Sequence, residues 1–291
     1  MNTRRWSGQS LGRLAVIGAG QIGGSVALAA RVAGAVSEVV AWSRTKEKLE
    51  RAQALGIIDR GASSAAEAAR GAALVVLATP VGSLGGAAAE IAPVLEPGAI
   101  VFDVGSVKAT AIREVERHLP AGAFVACHPI AGTERIGPDA ASPLLFEGKR
   151  CVICPSENTR EDAVATIEAL WTAMGAEPVR MEAALHDRVM GAGSHLPHVA
   201  AYALAGVLPD LDEEVVGALL RLPTSSLRDT TRAASFSMSG TTSALLSTRM
   251  SRHIAGLEAA TRVVSRRLEV GRRRSAPTTS SSSPVSTPAS V

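Results

Sequence analysis

The sequence predicts an α/β protein, in which an N-terminal Rossmann-like doubly wound parallel sheet is followed by an all-α C-terminal domain. Three observations predict it. Short apolar runs alternate with helical patterns through the first half of the chain, the signature of strands linked by crossover helices. The run 74–78 is continuously apolar, as in a parallel strand buried on both faces. A glycine-rich turn, Gly18-Ala19-Gly20-Gln21-Ile22-Gly23, stands between the first such run and the first helical pattern.

The elements follow in order. Residues 14–17 form a short strand and 22–33 a helix rich in Ala, Val and Leu. Residues 38–42 are the next strand and 45–55 a charged helix. Strands at 74–78, 100–104 and 124–127 alternate with helices at 82–95 and 108–119. After about residue 155 the texture changes. Residues 161–174 have helical periodicity, 177–181 are a candidate last strand, and 182–268 are helical almost throughout, broken at Leu208-Pro209 and Leu222-Pro223. These patterns divide the chain into a dinucleotide-binding domain (1–155), a helical substrate and dimerisation domain (156–270) and a Ser/Thr/Pro tail (271–291) expected to be disordered.

Composition narrows the function. With 291 residues, 46% of them hydrophobic and 20% charged, the chain is globular rather than disordered. Its apolar stretches are interrupted before the ~18 residues that a membrane span needs. The tail carries Arg272, Arg273 and Arg274 and no acid, which accounts for the net charge of +3 and leaves the remainder neutral. With aromatics at only 3%, there is neither a basic face nor a set of stacking platforms for nucleic acid. Three cysteines, Cys127, Cys151 and Cys154, are too few for a disulfide framework, and a reduced cytoplasmic setting is expected. Cys151 and Cys154 match C-x-x-C, but in a strand residues three apart face opposite ways, so two core residues are expected rather than a redox or zinc pair. The segment Thr3-Arg4-Arg5-Trp6 resembles a twin-arginine signal; residues 1–12 are read instead as a short leader on a cytoplasmic protein.

The glycine-rich turn has the context that dinucleotide binding requires, strand before and helix after. Gly18 allows the tight turn, Gly20 leaves room for the pyrophosphate, and Gly23 permits close helix–strand packing. Gln21 and Ile22 open the helix whose N-terminus faces the phosphates. At the end of the second strand, an NAD site usually places an acid on the ribose. Here stand Ser43, Arg44 and Thr45, able to bond and neutralise a 2′-phosphate, so NADP is the expected cofactor. If Arg44 is only a solvated helix-start residue, NAD is equally acceptable. Thr79-Pro80-Val81 ends another strand at the ligand crevice and is a candidate nicotinamide-ribose contact, or simply a turn.

Two segments carry the expected chemistry. Asp103-Val104-Gly105-Ser106-Val107-Lys108 and His128-Pro129-Ile130-Ala131-Gly132-Thr133-Glu134 follow strands on the cofactor's side of the sheet, which makes Ser106 and His128 candidate catalytic residues. Further on come His186-Asp187-Arg188, Ser194-His195-Leu196-Pro197-His198 and Arg228-Asp229-Thr230-Thr231-Arg232. His195 and His198 could share a helix face, but a metal site needs a third ligand, so no metal is expected. Arg228 and Arg232 flank Asp229 and can present a cation to a carboxylate; standing alone, they would read as a surface ion-pair ladder.

Together the stretches GAGQIGGS, VVLATPV, DVGSVK, HPIAGTE, HDRVMGAGSHLPH and RDTTR, in that order, resemble the prephenate/arogenate (cyclohexadienyl) dehydrogenase family. The likeness covers roughly residues 12–235 and departs from the family pattern at Leu227 and again at 235–240. It implies oxidative decarboxylation of a cyclohexadienol in tyrosine biosynthesis, with hydride passing to NADP or NAD. His128 would draw off the ring hydroxyl's proton, and Ser106 would hold that hydroxyl or orient His128. Arg232, fixed by Asp229, would bind a substrate carboxylate. His198 and His195 would approach from the helical domain, and Thr133 and Glu134 would border the pocket. The resemblance also implies a homodimer built through the helical domain. Two other functions remain open on the sequence: a two-domain NAD(P)-dependent reductase of a small imine or β-hydroxyacid, and a non-catalytic nucleotide sensor.

Overall fold

The computed structural model describes residues 6–133 and 135–195. Glu134, His198, Asp229, Arg232 and the tail 271–291 lie outside the described residues.

Eight strands form one sheet in the order β3-β2-β1-β4-β5-β6-β7-β8. They are β1 (Arg13–Ile17), β2 (Glu38–Trp42), β3 (Arg60–Gly61), β4 (Leu74–Leu77), β5 (Ile100–Asp103), β6 (Phe124–Pro129), β7 (Arg150–Cys154) and β8 (Glu177–Arg180). The helices are α1 (Gln21–Val32), α2 (Lys46–Ala54), α3 (Ala65–Ala69), α4 (Leu84–Ile91), α5 (Lys108–Glu116), α6 (Glu161–Ala173) and α7 (Ala183–Met190). Strands β1 to β6 are parallel. The order reverses between β1 and β4, and that switch point is where ligands enter a doubly wound sheet.

Every residue of β4, β5 and β6 is buried, because helices cover both faces. The core on one face packs residues of α1, α2 and α6, and that on the other packs α3, α4 and α5. Register aligns the strand ends: Ile17 lies opposite Trp42 and Leu77, and Leu77 lies opposite Asp103. The loops that follow β1, β2, β4 and β5 therefore emerge on one edge. Strand β6 runs further out, and His128 lies within it, paired with Val152, rather than just after a strand ending at 127.

Three further differences from the sequence reading have physical causes. The sheet does not stop near residue 155. Strand β7 runs antiparallel to β6, and β8 adds in parallel to β7. Helix α6 is held by Trp171, which packs edge-on against Phe102 and Phe146. The α/β layer thus extends to Arg180. Strand β3 and helix α3 carry no periodic apolar signal at two and five residues long. The segment read as a leader is docked from Trp6 onward: Trp6 N–H donates to Ala33 O (3.0 Å), Leu11 N–H donates to Ala35 O (2.8 Å), and both side chains pack on the core.

Cys151 and Cys154 fall in the two opposite core layers, as the strand alternation requires. Burial raises the Cys151 thiol well above its ordinary value and pushes Cys154 up to about 12, so neither is a ready thiolate. No described helix is long and apolar enough to cross a membrane.

Gly23 is the tightest point of the cofactor-side packing. A Cβ there would lie 2.2 Å from Gly18 O and 2.9 Å from the Ala78 Cβ. Gly23→Ala is therefore expected to cost about 1–3 kcal/mol through overpacking and to weaken nucleotide binding. Thermal unfolding and nucleotide titration check it; unchanged values in both would contradict the packing account.

Candidate active site

The cofactor side is built by the turn after β1. Gly18 has φ +111°, and a Cβ on it would meet Ala78 O at 2.6 Å, so glycine is required on both counts. Gly18 N–H donates to Trp42 O (2.8 Å), tying the turn to β2. No side chain caps the start of α1 at Gly20, and a Cβ on Gly20 would meet nothing within 4 Å. Among the described residues the helix N-terminus is thus left open, as a pyrophosphate site needs. Ile22 is partly buried against the core. Thr79 Oγ1 is buried without a hydrogen-bond partner among the described residues, a polar group free for a ligand hydroxyl. Pro80 begins, and Val81 packs under, the turn that follows β4. These features fit a dinucleotide.

Ser43 has a further function that the sequence did not disclose. Its Oγ accepts Ala19 N–H at 2.9 Å, so the end of β2 holds the phosphate turn in place. Arg44 and Thr45 are exposed. Gln21 reaches across to the loop after β6: its Nε2 donates to Thr133 Oγ1, and its Oε1 accepts Thr133 N–H at 3.2 Å. The start of the cofactor helix and the expected rim of the substrate pocket are thereby joined.

The catalytic side rests on a buried ion pair. Lys108 and Asp103 are both fully buried. Lys108 Nζ donates to Asp103 Oδ2 and to Cys127 O. Asp103 Oδ1 accepts Cys127 N–H (2.9 Å), and its Oδ2 accepts Gly105 N–H (2.9 Å). The end of β5, the start of α5 and the residue before His128 are clamped together.

Alternation along β6 sends His128 to the face covered by α4 and α5, the face that Phe124 and Ala126 share. It is 8% exposed. Its Nδ1 lies 2.9 Å from His186 Nε2, the two rings meeting edge-on, and His186 Nδ1 lies 2.8 Å from Asp187 Oδ1. Asp187 also accepts the backbone N–H groups of Lys108 (2.7 Å) and Ala109 (2.9 Å), at the start of α5. Burial works against its charge, but the bonds from His186 and from those two N–H groups outweigh it and hold Asp187 below the usual carboxylate range. His128 is pushed down to about 3, first by burial and then by the charges of Lys108, His186 and His195. Both effects favour the neutral imidazole.

Among the expected residues, His128 and the glycine turn after β1 lie at the same edge of the sheet. Ser106 is exposed on the loop between β5 and α5 and makes no bond to His128; the orienting contact comes from His186 instead. His195 ends the π-helical turn Gly191–His195, near enough for its charge to act on His128. Asp103, Lys108, His186 and Asp187 were not singled out by the sequence. Asp103 and Lys108 stand at the two ends of DVGSVK, and His186 and Asp187 are adjacent in HDRV, so their motifs were visible while their partners were not.

A Rossmann sheet with a fitted phosphate turn at its switch point and a neutral histidine at the same edge defines a nicotinamide-dependent dehydrogenase. The comparisons specify which. A family model described as "Prephenate dehydrogenase, nucleotide-binding domain" matches residues 26–180, and one described as "Prephenate dehydrogenase, dimerization domain" matches 182–241. The cyclohexadienyl dehydrogenase of Zymomonas mobilis is 36% identical over 76% of this chain and 75% of its own length. The prephenate dehydrogenase of Bacillus subtilis is 32% identical over 76% of this chain and 60% of its own length. The crystal structure of Aquifex aeolicus prephenate dehydrogenase in complex with hydroxyphenyl propionate and NAD+ aligns with a TM-score of 0.71 at 28% identity, covering 92% of this chain and 93% of that one. The chain belongs to the prephenate dehydrogenase family.

Removing one partner of a buried ion pair leaves the other uncompensated. Lys108→Met is therefore expected to cost about 3–5 kcal/mol of stability, read by denaturant unfolding. A loss below about 1 kcal/mol, the range of an exposed pair, would contradict the clamp.

Proposed function

We propose that this protein oxidatively decarboxylates a cyclohexadienol, prephenate or arogenate or both, as the tyrosine-forming step of aromatic amino acid biosynthesis. The observation that carries this reading is the state of His128: neutral, held at Nδ1, and with no hydrogen bond at Nε2 among the described residues. A base that must take a hydroxyl proton needs that bare nitrogen.

Oxidised nicotinamide, when bound in the crevice beside Gly18, Gly20, Gly23 and Thr79, accepts the hydride. His128 Nε2 receives the proton of the ring hydroxyl as the carbinol becomes a carbonyl. Ser106 holds that hydroxyl from the β5–α5 loop. Loss of carbon dioxide then aromatises the ring, which makes the sequence of steps effectively irreversible. Arg232, with Asp229 beside it, takes a substrate carboxylate. His195 and His198 contact the substrate from the chain after α7, and Thr133 and Glu134 form its rim.

NADP is the favoured cofactor, supported by the absence of an acid at Ser43-Arg44-Thr45 and by Arg44, which makes no ion pair or hydrogen bond among the described residues. The working unit is a homodimer assembled through the segment that matches the family's dimerization domain. A cytoplasmic setting suits three buried free thiols.

A two-by-two assay of prephenate and arogenate against NADP and NAD tests the function directly; reduction of neither cofactor by either substrate would contradict it. His128→Asn is expected to lower turnover by about 10²-fold or more, the scale of a lost general base, while cofactor binding persists in fluorescence titration. Near-wild-type turnover would remove His128 from its role. Ser43→Asp keeps an acceptor for Ala19 N–H but sets a carboxylate against a 2′-phosphate. It is expected to raise the KM for NADP about tenfold relative to NAD, given the repulsion between like charges; an unchanged ratio would refute the assignment of this loop.

A further inference from the structure

His186 and Asp187 lie outside the roles assigned above, yet they fix the chemistry of His128. The carboxylate of Asp187 accepts two backbone N–H groups and faces His186 Nδ1. An acceptor-only group so placed demands a proton on His186 Nδ1. Neutral His186 is then bare at Nε2, the atom that faces His128 Nδ1 at 2.9 Å. That contact needs one proton, so His128 carries it on Nδ1 and presents a bare Nε2. The tautomer of the base is thus set from the start of α5, through two rings, by a carboxylate that caps the helix.

We infer that His186 is a positioning residue that fixes the tautomer of His128 and stores the substrate's proton between hydride transfer and decarboxylation. The inference rests on the reading of His128 as the base. In the first step the substrate O–H bond breaks and an N–H bond forms at His128 Nε2. The Nδ1–H bond of His128 breaks as an N–H bond forms at His186 Nε2. The carbinol C–H electron pair leaves with its hydrogen to the oxidised nicotinamide, and the ring oxygen becomes a carbonyl. In the second step the bond to the departing carboxylate breaks, its electron pair aromatises the ring, and the oxygen regains its proton from His128 Nε2. The proton on His186 Nε2 then returns to His128 Nδ1. No net proton is released.

Charge placement favours this route. Among the described residues, the groups that face His128 are Lys108 of α5, His186 and Asp187 of α7, and His195 of the turn after it. Lys108, although paired with Asp103, disfavours a positive charge on His128. On His186 the same charge sits against the Asp187 carboxylate.

The test compares His186→Gln with the wild-type enzyme over a pH series, with His128→Asn alongside. Gln can accept the Nδ1–H bond of His128 but cannot take up the proton. The expected result is a kcat lower by about 10- to 100-fold, the range for partners that orient an active group, with KM and cofactor affinity within about twofold. The acid limb of the kcat profile should move to higher pH, because the His186 charge that disfavours protonation of His128 has gone. His186→Asn serves if the Gln side chain misplaces α7. Unaltered kcat and an unmoved limb in both variants, with His128→Asn inactive, would overturn the role of His186 alone. Activity retained in His128→Asn would overturn the base assignment and this inference together.

Discussion

The structure of this site depends on one buried interaction, the contact of Lys108 with Asp103 and with the backbone of Cys127. Two full charges removed from water are tolerable only when their remaining hydrogen-bonding capacity is filled. Here the backbone of neighbouring segments fills it: Cys127 N–H and Gly105 N–H on the acid, Cys127 O on the base. The outcome is geometric. The end of β5, the loop bearing Ser106, the start of α5 and the residue before His128 cannot shift independently. The same ammonium helps keep His128 neutral, so a structural device also sets the electrostatics of this histidine.

A second consequence concerns how the parts of the chain are joined. The family's dimerization-domain model begins at residue 182, so His186 and Asp187 belong to the segment it matches. Their polar atoms are nevertheless spent on the nucleotide-binding sheet, at the start of α5 and on His128. The hydrogen-bonded environment of His128 is completed only by this following segment. Gln21 and Thr133 make a comparable link on the other side of the crevice, between the cofactor helix and the loop after β6.

Much of this was legible in the sequence, and the exceptions are instructive. Strands β1, β2, β4, β5 and β6 announce themselves because burial on both faces forces apolar runs, and the glycine turn because Gly18 and Gly23 answer steric demands. The antiparallel direction of β7 leaves no mark, since a short buried run reads alike in either direction. The segment 177–181 was legible as a candidate last strand, but nothing in Glu177-Pro178-Val179-Arg180 says which strand it pairs with. His128 drew attention by following the apolar run 124–127. Its dependence on His186 was not legible, because 58 residues separate two rings that only the docking of α7 brings together. Lys108 stands in the sequence only as the first residue of a predicted helix; burial, which no local pattern records, makes it the centre of the clamp.

The central claim is that His128 is a neutral ring with a protonated Nδ1 and a bare Nε2. Nitrogen-15 chemical shifts of histidine-labelled protein, assigned by comparison with the His128 variant, report both ring nitrogens directly across about pH 5 to about 9, the range in which an ordinary histidine titrates. The account requires one protonated and one bare nitrogen for His128 throughout, with the proton on Nδ1. A ring that becomes imidazolium near neutrality, or that carries its proton on Nε2, would contradict it.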